Sequence, residues 1–196
     1  MTLRNEVAHA PCVEPRSLGL ALPAAAGALP TEEQLCAFAR TLRLTPDAWT
    51  RLAPHVGFDA RQYRRVRLYR DESWEALLLC WLPGQGTSVH DHGGSVGVSV
   101  VIAGCLEERR WVRVGEGQPL ALAGESSCAA DEASIERLDT IHEMRNASAQ
   151  PAISLHLYSP PLSRLGAHDP ALGTRWEVPV ADTPDVQIGG DPNLLD

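Results

Sequence analysis

The chain has 196 residues, which the length prior reads as one domain with enough chain to bury a substantial core. A net charge of −8 argues against a general nucleic-acid binder and for a soluble, cytoplasmic protein. No run approaches the ~20 apolar residues of a membrane-spanning helix. The Ala- and Leu-rich stretch from Leu18 to Leu29 is broken by Pro23 and Gly27, and Glu6 and Glu14 precede it where an export signal carries positive charge.

Residues 1–30 show no strong periodicity and are expected to be loose. From 31 to about 60 the pattern is helical. Thr31 is a candidate N-cap, Glu32 and Glu33 fill the first turn, and Leu35, Phe38, Ala39 and Leu42 recur at helical spacing. A second, short helix is predicted from Pro46 to Leu52 with Thr45 as its cap, and both should pack across the outside of a strand-rich core.

From about 61 to 162 the pattern changes to strands. These are predicted at Val66–Tyr69, Ala76–Trp81, Val96–Ala103, Trp111–Val114, Leu120–Leu122 and Ala152–Tyr158. Pro83-Gly84, Gly93-Gly94, Gly115-Glu116-Gly117 and Asn146-Ala147-Ser148 separate them, which suggests an antiparallel barrel or jelly roll. The remainder, 163–196, reads as a C-terminal extension draped over the barrel from about Gly166. The cysteines Cys12, Cys36, Cys80, Cys105 and Cys128 are scattered, odd in number and without a CxxC, so they read as reduced thiols.

The run Val89-His90-Asp91-His92-Gly93 carries the most chemistry. Side chains alternate along a strand, so His90 and His92 share a face with Cα atoms ~7 Å apart, within reach of one metal ion. A third histidine from a later strand, His142 being the candidate, would complete a three-nitrogen face. Asp91 should point away and make a structural contact. His55 and His168 are expected to be partnerless surface residues, and His9 to have no role. A second constellation is Ser154-Leu155-His156-Leu157-Tyr158-Ser159-Pro160-Pro161, where Ser154, His156 and Tyr158 share one face and can bond to one another. A serine-protease reading fails, because neighbours on one strand supply neither an oxyanion hole nor a third orienting group. The basic cluster Arg61, Arg64, Arg65, Arg67 and Arg70 is interleaved with acids and reads as a solvated strand. The two predicted helices lack a basic recognition face, so no nucleic-acid partner is expected.

The spacing Gly84-x5-His90-x-His92-x4-Gly97-x6-Gly104 resembles the first motif of the cupin barrels, and His142-x3-Asn146 resembles the end of the second. The chain departs from those motifs at Gly97, where many cupins carry a glutamate ligand, and at Arg137 and Asp139, where proline and glycine are usual. With the Ser-Leu-His-Leu-Tyr-Ser-Pro-Pro run, these residues closely resemble the cysteine dioxygenase (thiol dioxygenase) family over roughly 60–162. The resemblance implies a mainly β cupin jelly roll with short N-terminal helices, and Fe(2+) on His90, His92 and His142 with no carboxylate ligand. It implies a Ser154–His156–Tyr158 relay bordering the substrate.

The family's Tyr-x-Arg pattern falls on Tyr63-Arg64-Arg65 and implies that Arg65, with Tyr63 alongside, grips the substrate carboxylate. Spacing alone would permit Arg67 equally. Related enzymes acting on 3-mercaptopropionate carry glutamine there, so Arg65 favours L-cysteine. Animal members cross-link a cysteine to the relay tyrosine; the matching Gly97 cannot.

The implied reaction adds both atoms of O2 to the thiol of L-cysteine, giving cysteine sulfinic acid, in a cytoplasmic, monomeric enzyme. Metal coordination would let the thiol ionise well below its free pKa of about 8.5. Three histidines would also suit zinc. The alternatives are the same chemistry on another small thiol, a zinc-dependent cupin isomerase or hydrolase, and a cupin sensor that binds metal without turnover.

Overall fold

The computed structural model describes residues 15–23, 29–42 and 46–180. Outside the described residues lie His9, Cys12 and Thr45, most of the N-terminal stretch expected to be loose, and the end of the tail.

Helix α1 (Glu32–Thr41) begins at the predicted cap. Thr31 Oγ1 accepts from the Gln34 N–H at 3.2 Å, and the Thr31 N–H donates to Gln34 Oε1 at 2.8 Å. This reciprocal pair satisfies two backbone donors that a helix start leaves open. Leu35, Phe38 and Ala39 form its buried face. Helix α2 (Pro46–Leu52) buries Ala48 and Leu52 on the same core and runs into a 3₁₀ turn over Ala53–His55.

Among the described residues eleven strands come next: β1 (Arg64–Arg70), β2 (Glu75–Trp81), β3 (His90–Asp91), β4 (Val96–Ala103), β5 (Cys105–Arg113), β6 (Leu120–Ala129), β7 (Ala133–Glu136), β8 (Ile141–Arg145), β9 (Ala152–Ser159), β10 (Arg164–Asp169) and β11 (Thr174–Pro179). They form two antiparallel sheets, one ordered β1-β2-β9-β4-β7 and the other β11-β10-β3-β8-β5-β6.

The first sheet is buried on both faces. Ala76, Leu78 and Cys80 of β2, with Ile153, Leu155 and Leu157 of β9, meet the helices in one core. Leu77, Leu79 and Trp81 of β2, with Tyr158 of β9, turn the other way and meet Leu106, Met144 and Leu165 of the second sheet. Period-two alternation thus divides each strand between an outer apolar layer and an inner layer that includes polar groups. The helices lie on the outside, as predicted.

Two expectations change. The segment predicted to drape over the barrel instead forms the β10–β11 hairpin, with β10 paired to β3 through Gly166↔Asp91 and Ala167↔His90. Backbone pairing extends the second sheet here where the sequence shows no apolar alternation. His168 and His55 are also buried rather than on the surface. His168 Nε2 donates to Asp91 Oδ2 at 2.8 Å, and Arg113 Nη2 donates to its Nδ1 at 3.3 Å. Arg175 reaches the same Asp91 carboxylate with Nε at 2.7 Å and Nη2 at 3.1 Å. Gly166 makes this cluster possible, since a Cβ there would collide with both the Asp91 carboxylate and the Arg175 guanidinium. His168 looked partnerless because its partners lie far away in sequence.

Asp91 therefore fastens β3 to the hairpin. Burial pushes its pKa up, but hydrogen bonds from His168, Arg175 and the Gly93 N–H outweigh this and hold it well below the usual range. A depressed folded-state value adds stability above the unfolded pKa of about 3.9 and loses it as pH falls below that. Asp91→Asn is expected to cost about 1–2 kcal/mol at pH 7, allowing for solvent screening. Urea unfolding of the metal-free proteins should show that gap narrowing at pH 3.

Candidate metal centre and its cavity

Backbone pairing brings the histidines together. His90 of β3 stands directly opposite His142 of β8, and such cross-strand pairs place their Cβ atoms ~5 Å apart on one face. His92 lies just past β3, before the left-handed turn at Gly93 and Gly94. One ring nitrogen from each of the three histidines lies within 4.8 Å of the others. Any triangle of that size has a point no more than about 2.8 Å from every corner, against ~2.1 Å for a metal–imidazole bond. An ion therefore needs only a small contraction. The set fits a metal.

Protonation favours the same reading. Burial, and then the neighbouring imidazoles, push the pKa values of His90 and His92 well below the usual histidine value. Neutral rings keep the lone pairs that ligation requires. His90 Nδ1 donates to the Ser88 carbonyl at 2.9 Å, and His142 Nδ1 donates to Glu108 Oε1 at 2.7 Å. Each bond leaves Nε2 as the bare nitrogen. Glu108 is itself anchored by Arg110 Nε at 3.1 Å and Ser134 Oγ at 3.0 Å. Despite burial, which raises it, the His142 hydrogen bond and the Arg110 charge bring its pKa down.

The three imidazoles line a cavity of about 40 Å³ with Tyr63, Arg65, Leu77, Leu79, Trp81, His156 and Tyr158 among the other walls. Arg65 is among its walls and Arg67 is not. Arg65 is 3% exposed, and neither terminal nitrogen has a hydrogen-bond partner. Glu75 Oε1 approaches Nη2 only to 3.5 Å, while Glu75 Oε2 accepts from the Leu162 N–H at 3.1 Å. Burial lowers the Arg65 pKa, and the charge of Glu75 works against it. Tyr63 stacks on Trp81 with ring centroids 4.4 Å apart. Burial raises its phenol pKa far above the usual value.

The β9 residues form a continuous buried line. Trp81 Nε1–H donates to Ser154 Oγ at 3.0 Å, Ser154 Oγ lies 2.8 Å from His156 Nε2, and His156 Nδ1 lies 3.2 Å from the Tyr158 hydroxyl. Burial lowers the His156 pKa to about 4, so that ring is neutral at pH 7. Indole N–H can only donate, so Ser154 Oγ accepts from Trp81. The hydroxyl oxygen has a second lone pair, so the sense of the Ser154–His156 and His156–Tyr158 bonds follows the tautomer of the neutral His156 ring.

Sequence reasoning missed Ser88, Glu108, Trp81, Glu75 and Glu136. Glu136 is fully buried, with Oε2 3.1 Å from His92 Nε2 and Oε1 3.8 Å from His156 Nδ1. Its only sequence signal was an acid at the end of a short strand.

The family described as cysteine dioxygenase type I matches residues 30–171. The chain is 31% identical over 156 residues to the Homo sapiens protein named cysteine dioxygenase type 1, covering 74% of each. It is 33% identical over 151 residues to the Danio rerio protein of the same name, covering 67% of this chain and 70% of that one. A solved Klebsiella pneumoniae protein with a double-stranded β-helix domain shares the fold, with a TM-score of 0.50 and 16% identity over 60% of this chain and 94% of that one. The two-sheet barrel is a cupin jelly roll, and the chain belongs to the cysteine dioxygenase type I family.

Proposed function

We propose that this protein is an iron-dependent dioxygenase that adds both atoms of O2 to the thiol of L-cysteine, giving cysteine sulfinic acid. The observation that carries this reading is Arg65, whose buried guanidinium, with no hydrogen bond at either terminal nitrogen, faces the same small cavity as three imidazoles. A buried cation with idle donors is costly unless an anion completes it, and guanidinium matches a carboxylate with two parallel bonds. The ligand so described carries a carboxylate at one end and a metal-binding group at the other. By the measure in which one water needs ~10–15 Å³, the cavity is small. It excludes bulky thiols.

His90, His92 and His142 would hold Fe(2+), which when bound supplies Lewis acidity and redox chemistry for the reaction of thiol with O2. The protein's own residues do the rest. Arg65 fixes the carboxylate and so orients the thiol, with Tyr63 closing the wall beside it. Leu77, Leu79 and Trp81 exclude water from that side of the cavity. His156 and Ser154 hold the Tyr158 hydroxyl at the wall of the cavity, beside the reacting groups. The reaction balances without a further reductant: thiol plus O2 gives sulfinic acid.

A carboxylate clamp serves 3-mercaptopropionate as well as L-cysteine, and the two are separated by assay. Arg65→Gln is expected to weaken L-cysteine use about 10–100-fold, mainly through KM, the loss typical of a charged hydrogen-bonding partner. Sulfinate formed by the iron-loaded protein, measured by mass spectrometry for both thiols, checks this. Metal uptake without product would instead identify a binding module.

Glu108 orients His142, so Glu108→Gln should weaken iron retention about 10–100-fold while the fold persists. Iron content after dialysis against a chelator, beside circular dichroism, measures both.

A further inference from the structure

Gly97 stands at the centre of an unusual row. It pairs with Tyr158 of β9 on one side and with Glu136 of β7 on the other, so all three residues share the inner face of the first sheet. A side chain at the central position would separate its neighbours. A Cβ on Gly97 would fall 2.7 Å from Tyr158 Cδ1 and 2.5 Å from the Leu157 carbonyl oxygen. Glycine leaves that space to the Tyr158 ring and puts no side chain between Tyr158 and Glu136. Glu136 has no exposed surface, and neither carboxylate oxygen is aligned for a hydrogen bond among the described residues. Such a group is costly to bury and requires a donor.

One tautomer of the relay supplies it: where His156 Nδ1–H donates to the Tyr158 oxygen, the phenol proton is free for Glu136. Glu136 Oε1 lies 3.8 Å from that same His156 Nδ1. Burial first, and then the Glu136 carboxylate, raise the Tyr158 pKa well above the ordinary phenol value. Tyr63 and Arg65 also face the phenol, and Arg65 acts in the opposite direction.

We propose that Glu136 is a positioning residue for Tyr158, accepting its hydroxyl proton across Gly97 and setting how far the phenol points into the cavity. This deepens the proposed function and rests on it only for its kinetic consequence. Glu136 acts through Tyr158 and does not line the cavity among the described residues.

Two readouts test it. In zinc-loaded protein labelled with ¹³C at the tyrosine ζ carbon, Tyr158→Phe identifies the Tyr158 resonance among the three tyrosines. Glu136→Gln should move that resonance upfield and leave Tyr63 and Tyr69 in place. In iron-loaded protein, Glu136→Gln should lower kcat for L-cysteine about tenfold, with KM and iron content unchanged. Adding it to Tyr158→Phe should bring no further loss.

An unmoved Tyr158 resonance, multiplying kinetic effects or lost iron would each overturn the assignment. If Glu136→Gln does not fold, Glu136→Asp, which withdraws the acceptor by one methylene, should produce the same upfield movement in smaller degree. Wild-type protein that makes no sulfinate would sink the proposed function while leaving the resonance to decide the role of Glu136.

Discussion

The cross-strand pairing of His90 with His142 is the constraint on which the rest of the site depends. It sets two imidazoles 4.8 Å apart, centroid to centroid, and tilted by 49°, and His92, with its ring centroid 5.2 Å from that of His90 and 5.0 Å from that of His142, completes the set. Desolvation and the neighbouring imidazoles depress the His90 and His92 pKa values together, which favours the neutral rings that ligation requires. The register responsible is set from outside, because β3 is only two residues long and is held between β8 and β10. The Asp91 cluster is thus part of the metal centre's support, although it faces away from it.

Two acids stand next to the three-histidine cluster: Glu108 lies behind His142, and Glu136 lies beside His92 and His156. Glu108 belongs to β5 and Glu136 to β7, strands of different sheets. Closing the barrel is what brings the two around one cluster.

Local patterns made some of this visible in advance. The capped start of α1, the strand over the apolar run of β2, the alternation of β9 and the shared face of His90 and His92 are properties of consecutive residues, and they appear in the structure as the sequence suggested. The exposed strands were harder. β6 is solvent-facing along most of its length and β5 is rich in charge, so neither carries a full-length apolar period, and only fragments of them were predicted. Glu108 could not be told from its exposed neighbour Glu107 without knowing which face of β5 turns inward. Glu136 was hidden for a related reason, since its importance comes from standing across Gly97 from Tyr158. Spacing could not separate Arg65 from Arg67, because which of them borders the cavity depends on how the strand packs.

The inner face of the first sheet carries a second regularity that ties recognition to chemistry. Register places Glu75, Tyr158, Gly97 and Glu136 in one transverse row, so the phenol stands between two acids, with Arg65 near the first. Glu75 reaches Arg65 at 3.5 Å without a hydrogen bond, so it offsets part of the charge while the guanidinium keeps its donors for a ligand. A tighter pair would satisfy Arg65 internally and leave little for an incoming carboxylate. No pair at all would leave a bare cation in a site that 3% exposure nearly closes to water. The loose approach lies between these limits and suits a residue that must wait, charged and buried, for its partner. On the proposed role of Glu136, the glycine in the same row does the corresponding work for Tyr158, because it puts no side chain between the phenol and an acid whose backbone is two strands away.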